Sequence, residues 1–159
     1  LVATRNPHVI CSAPDGTLNQ IFFDGTVKKL TIKGFTIDHT FDIFDITGDG
    51  VGEYIFIDKG MLYLYDQNGD ELFSKEFESE HLEGPIPFVF SASHRMIGVY
   101  ETDRKLIYLI GKTGNVMEGF PLRGASMFSI GRLSEKNEWN LIVGGADRFL
   151  YNYSLITEN

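Results

Sequence analysis

The sequence repeats itself, and the length of the repeat restricts the possible folds more than any other property of the chain. Aligning "DGTLNQIFFDG" (15–25), "KGMLYLYDQNG" (59–69) and "RKLIYLIGKTG" (104–114) brings Gly25, Gly69 and Gly114 into register at spacings of 44 and 45 residues. A fourth copy, "DRFLYNYSL" (147–155), sets Tyr151 in the place held by Tyr108 and Tyr63, at spacings of 43 and 45. A period of about 20–50 residues marks repeat architectures, in which each unit is one supersecondary motif that buries its apolar surface only against its neighbours.

Each unit carries four apolar runs joined by short turns. In the second they are "TFDIFDI", "EYIFID", "MLYLYD" and "ELFSKEF"; in the third they are "PFVFSA", "MIGVYET", "KLIYLIG" and "VMEGFPL". Four runs in about 44 residues leave about 11 for each strand and its turn, the spacing of a short-stranded antiparallel meander. Helix has little room. Only "SKEFESEHLEG" (74–84) offers a short helical turn, and its Phe77 and Leu82 do not keep a helical period.

The runs "LYLY", "LIYLI", "YIFI" and "PFVF" are apolar at consecutive positions, so both faces of those strands are apolar. A sheet with one wet face alternates instead. Blades stacked around a ring bury both faces and leave only short, protected edges. The chain therefore reads as all-β, a β-propeller fragment of about 3.5 four-stranded antiparallel blades. The expected units are 6–34, 35–84, 85–122 and 123–159 within a single domain, 1–159. A sandwich or barrel is the alternative, and the regular period speaks against it.

The first unit supplies "HVICSA", "TLNQIFF" and "TVKKLTI" as second to fourth strands, with no room for a first strand before Asn6-Pro7. The last supplies "SMFSIGRL", "NLIVGGA" and "FLYNYSL" as first to third strands and lacks a fourth. Closed rings need about 4–8 blades. The expectation is that these are the C-terminal blades of a longer propeller. Its open edges would pair with the remaining blades or with a second copy of the chain.

Twenty-two acids against fourteen Lys plus Arg give a formal charge of −8, and the bases are scattered, which argues against nucleic acid as a partner. No apolar run approaches the roughly 18 residues of a membrane span, and no charged-then-apolar leader opens the chain. It starts at Leu1 rather than at a Met, so the expectation is that it is either processed or an excerpt, and that any export signal would have been lost. Cys11, the single cysteine, excludes an internal disulfide and reads as a small buried apolar residue.

Chemistry concentrates in "DITGDGVGE", Asp45 to Glu53, between the first two strands of the second unit. With the following "YIFIDKGMLYLYDQNG", and with "GFPL" at 119–122, this segment resembles the FG-GAP or VCBS type repeats of integrin-α-like propellers. Those repeats follow an aromatic strand with an Asp-x-Asp-x-Asp-Gly-x-x-Asp/Glu turn, an apolar strand and a Gly-x-Leu-Tyr-Val-Tyr strand. The resemblance implies a structural calcium. Asp45, Thr47 and Asp49 would offer side-chain oxygens, Val51 its carbonyl and Glu53 a carboxylate, matching the preference of Ca²⁺ for hard oxygen ligands. Gly50 permits the sharp turn. Thr47 departs from the pattern, since an acid usually stands there, and the lost carboxylate lowers affinity. The other reading is an Asp/Gly-rich turn whose side chains cap its own backbone. The equivalent turns "SASHRM" and "LSEKNEW" lack the motif, so a metal would sit in one blade only.

The same resemblance implies a non-catalytic binding or scaffold module of an exported bacterial protein, located in the periplasm, on the outer surface or outside the cell, with a protein or carbohydrate ligand. The alternative is the propeller portion of an enzyme, polysaccharide-processing or quinoprotein-like, with its active residues outside this segment. No catalytic set emerges from the sequence. His8 and Cys11 fall on opposite faces of one strand. His39, His81 and His94 read as surface residues, and Glu78, Glu80 and Glu83 as a wet loop. "GGAD" and "GKTG" precede no helix and so lack a phosphate cradle; "GKTG" is a hairpin that leaves Lys112 exposed. Trp139 opens a strand and is expected between blades.

Overall fold

Fourteen strands and no helix form among the residues that the computed structural model describes, 8–133 and 138–156. The reading of Asn6-Pro7 and of positions 134–137 in "LSEKNEW" lies outside the described residues. The first sheet holds β1 (His8–Ser12), β2 (Leu18–Phe22) and β3 (Val27–Leu30) in the order β1-β2-β3. The second holds β4 (Thr40–Phe44), β5 (Glu53–Asp58), β6 (Met61–Tyr65) and β7 (Glu71–Glu76), again in sequence order. The third holds β8 (Leu82–Val89), β9 (Arg95–Glu101), β10 (Leu106–Ile110) and β11 (Leu122–Arg123); the fourth holds β12 (Phe128–Gly131), β13 (Trp139–Gly144) and β14 (Leu150–Leu155). Every pairing is antiparallel between consecutive strands. This is a partial β-propeller with two complete blades between two three-stranded ones.

The doubly apolar strands explain the stacking. In β5, Tyr54 and Phe56 turn toward the first sheet and pack with Leu18 and Phe35, whereas Ile55 and Ile57 turn toward the third and pack with Ile97 and Val99. β6 divides in the same way, with Tyr63 and Tyr65 on one side and Leu62 and Leu64 on the other. A run that looks unpatterned is therefore two interleaved period-two faces, one aromatic and one aliphatic. Each of these fully buried side chains contributes roughly 1.5–3 kcal/mol relative to exposure. The aligned tyrosines keep one role, since Tyr63, Tyr108 and Tyr151 all pack toward the preceding sheet.

The aligned glycines keep theirs too. Gly25, Gly69 and Gly114 adopt φ of 86°, 87° and 80°, and each donates its amide three residues back, to Phe22, Asp66 and Gly111. A Cβ in that left-handed region costs about 1–2 kcal/mol.

Several expectations need correction. Cys11 is exposed, because it lies on the face of the first sheet turned away from the other blades, beside the exposed Val9, Ile21 and Val27. The third unit opens at Leu82, ahead of the expected boundary at 85, and "SKEFESEHLEG" is divided between the end of β7 and the start of β8 without a helical turn. In the fourth run of that unit only Leu122–Arg123 is strand. The Met117 amide bonds to Leu109 and the Phe120 amide to Met117, which turns "MEGF" before the strand forms. Gly145 lies beyond β13, in the hairpin that follows it. His39 is half-buried, with Nδ1 2.6 Å from the Thr36 carbonyl oxygen and its ring against Phe35 and Phe56. No helix of the described residues is long and apolar enough to cross a membrane.

Candidate functional site

Alternation of direction along the meander puts all interblade linkers and all hairpins between second and third strands at one end of the blades. The β4–β5 loop, residues 45–52, emerges at the other end. There the structure brings Asp45, Asp49 and Glu53 together, with one carboxylate oxygen of each within 4.8 Å of the others. Three oxygens that close together are hard donors of the kind a calcium ion takes at about 2.3–2.6 Å. Thr47 belongs to the same cluster through its hydroxyl, 3.1 Å from Glu53 Oε1. Val51 lies alongside, its amide 2.8 Å from Asp49 Oδ1.

The same carboxylates also cap the loop's own backbone. Asp45 accepts the amides of Gly48, Asp49 and Gly50 at 2.7, 3.1 and 3.0 Å. Buried Glu53 accepts those of Ile46 and Thr47 at 2.9 and 3.4 Å. Gly48, at φ 83°, is required because a Cβ would stand 2.8 Å from the Ala92 carbonyl of the third blade. Arg95 enters from that blade, with Nη1 2.6 Å from Asp45 Oδ2 and 2.5 Å from its carbonyl oxygen. Burial pushes the Asp45 carboxyl up, but the Gly48 and Gly50 amides and the Arg95 guanidinium outweigh it and hold the group below the ordinary carboxylate range. Arg95 thus supplies one positive charge to the three acids. Sequence reasoning missed it because it lies 50 residues away.

At the linker end, acids perform a second structural task. Asp58, the last residue of β5, accepts the Thr36 amide at 2.9 Å and also the Thr36 hydroxyl. Glu101, the last residue of β9, accepts the Ser79 amide at 2.8 Å. Both pairs span 22 residues and tie the linker that enters a blade to the second strand of that blade. Superposing the repeats on Asp58 and Glu101 would have disclosed the pattern. The fourth blade changes it: Gly144 ends the second strand, and its amide donates to Ser126 Oγ in the linker at 3.0 Å. Glu101 is fully buried and also accepts the Tyr108 hydroxyl at 2.8 Å.

Ser79, Asp103 and His81 bring the residue types of a nucleophilic triad together in the wrong order. The Ser79 hydroxyl donates to Asp103 at 2.6 Å, and His81 Nδ1 lies 2.9 Å from the same oxygen. The carboxylate stands between serine and imidazole, so the imidazole is not placed to take the serine proton. The Asp103 bond raises the His81 pKa; the Ser79 and His81 bonds lower that of Asp103. Glu78, Glu80 and Glu83 are exposed, as is Lys112, and Trp139 packs edge-on against Phe90 of the third blade at 5.2 Å. His8 and Cys11 take alternate faces of β1.

No protein-family model matches the sequence, and no curated protein matches it. Solved structures do. A crystal structure of BBS1N in complex with ARL6DN aligns over 97% of this chain and 51% of its own, with a TM-score of 0.57 and 12% identity. A protein of unknown function from Bacteroides caccae aligns over 96% of this chain and 54% of its own, at 0.51 and 14%. The chain spans about half the length of each. At such identities the likeness is one of fold, and it agrees with the partial propeller described above.

Proposed function

We propose that this chain is a non-catalytic binding and scaffold segment of a propeller of the FG-GAP/VCBS kind, in an exported protein, with a calcium-competent loop in its second blade. The observation that carries the reading is the employment of its acids. Asp45, Glu53, Asp58 and Glu101 all hold backbone amides of loops and linkers, and the Ser79, Asp103 and His81 group is ordered against nucleophilic activation. The exposed row Val9, Ile21 and Val27 supports a further blade or partner covering that face. BBS1N was solved with a protein partner, which supports a protein ligand as one class.

In the loop, Asp45, Thr47, Asp49, the Val51 carbonyl and Glu53 would hold calcium and pin the first two strands of the blade together. Arg95 reduces the attraction for a second cation, so affinity is weak.

Incubating the protein with chromogenic glycosides and esters, alongside a carbohydrate array, tests the reading. Saturable binding without turnover agrees with it. Turnover that disappears in Asp103→Asn or His81→Ala would establish an enzyme portion instead.

A further inference from the structure

The linker end also contains a cavity of about 560 Å³ between the third and fourth sheets. Arg104 and Lys105 reach it from the β9–β10 hairpin, Arg123 from β11, and Asp147 and Tyr151 from the β13–β14 hairpin and the start of β14. Lys105 and Arg123 thus line one cavity of a protein whose formal charge is −8, while the Arg104 guanidinium turns to the acids between the second and third blades. The backbone fixes this meeting, because Leu106 pairs with Arg123 and the Gly124 amide donates to the Lys105 carbonyl at 3.0 Å. Arg104 is partly neutralised, 3.1 Å from Glu78 and 3.6 Å from Glu101. Lys105 and Arg123 have no ion-pair partner among the described residues.

A second, independent observation concerns the backbone. Among the described residues, the non-glycine residues with positive φ are Lys59 (47°), Lys105 (54°) and Arg148 (71°), one in the hairpin between second and third strands of three successive blades. Glycine or asparagine fits that conformation with less strain. Of the three, Lys105 is the one that lines this cavity, its amide donating to the Thr102 carbonyl at 3.3 Å, which fixes the turn that carries it.

We propose that the cavity between the third and fourth blades binds the oxyanion of a small ligand, a carboxylate or phosphate ester, through Lys105 and Arg123. The proposal rests on the binding-module reading and names the chemistry of one of its surfaces. A guanidinium fork matches either oxyanion through paired hydrogen bonds, and the ammonium adds a point charge. Tyr151, whose hydroxyl donates to Asp147 Oδ2 at 2.7 Å, and Asp147 itself give polar partners for the neutral part of the ligand. The cavity is of small-molecule size, within about 300–1,000 Å³.

The test is an amide-resolved NMR titration of the labelled protein with sodium phosphate and, separately, sodium acetate, at constant ionic strength. Saturable shifts confined to residues 104–106, 122–124 and 146–148 are expected. Loss of one charge-assisted bond should weaken binding roughly tenfold in Arg123→Gln and in Lys105→Gln, whereas Lys29→Gln, on the first sheet, leaves it unchanged. Saturation by phosphate alone assigns a phosphate ester, by acetate alone a carboxylate, and by both an oxyanion of either kind. Should Arg123→Gln lose its native spectrum, Lys105→Gln decides. No saturation with either anion, shifts spread over all exposed lysines, or unaltered binding in the variants would overturn the proposal. Turnover in the substrate assays would remove the scaffold reading without touching this outcome.

Discussion

Replacing Glu101 by glutamine keeps the shape of a fully buried side chain and removes its charge. In the parent, one carboxylate oxygen accepts the Ser79 amide and the other the Tyr108 hydroxyl, each at 2.8 Å, with Arg104 at 3.6 Å. Glutamine offers one acceptor and one NH₂ group: its oxygen can still accept the Ser79 amide and its NH₂ can donate to the Tyr108 hydroxyl oxygen, but the Tyr108 O–H then has lost its acceptor and the Ser79 amide its charged one. A buried donor without an acceptor costs about 1–3 kcal/mol, and a bond to a charged acceptor is worth about 1.5–3 kcal/mol. Glu101→Gln should therefore destabilise by roughly 2–4 kcal/mol, a large share of the roughly 5–15 kcal/mol typical of a domain. Urea unfolding followed by circular dichroism should show a lower midpoint at an unchanged slope. A double-mutant cycle with Tyr108→Phe should return a coupling of at least about 1 kcal/mol, as for directly bonded partners. A Glu101→Gln variant within about 0.5 kcal/mol of the parent, the range of ordinary surface changes, would refute the role of Glu101 in tying the linker to its blade.

Gly98→Ala should cost about 1–3 kcal/mol by overpacking, because the new Cβ would lie 2.6 Å from Phe88 and 2.8 Å from Phe128; thermal melting checks this. Arg95→Met should lower the melting temperature and raise calcium affinity at Asp45, Asp49 and Glu53, measured by calorimetric titration; calcium binding unaltered by the change would show that Arg95 does not compete. The folded pKa of Asp45 lies below its ordinary value of 3.8, so its contribution is present above that value and is lost as pH falls through the lower one; Asp45→Asn should flatten acid unfolding in that window. The His81 pKa is raised from 6.5, so stability from its Asp103 partner is complete below 6.5 and fades as pH rises through the raised value. An NMR titration midpoint for His81 at or below 6.5 would contradict the pairing.

The blade repeat was legible because it is written in backbone requirements. Gly25, Gly69 and Gly114 need positive φ, and Tyr63, Tyr108 and Tyr151 fill one interblade position. The acidic loop was legible from residue type, as was the capping of its own backbone by its carboxylates. Partners distant in sequence were not: Arg95 reaches Asp45 only because adjacent blades stack in a particular register. Cys11 was misread because strand alternation gives two faces without saying which one meets a neighbour. The shortness of β11 depends on the turn at Met117 to Phe120, whose hydrogen bonds follow from tertiary placement rather than from the apolar run "VMEGFPL". The cavity at Lys105 and Arg123 joins residues that individually look like scattered surface charges.

If the carboxylates of Asp45, Glu53, Asp58 and Glu101 hold loops and linkers in place, amides outside the strands should be protected from hydrogen exchange. Residue-resolved exchange should show Thr36, Ile46, Gly48, Gly50 and Ser79 slowed well below unstructured peptide rates, with Ser79 losing its protection selectively in Glu101→Ala. Exchange of Thr36 and Ser79 at peptide rates in the parent would contradict the account, because both linkers would then be free of their acids.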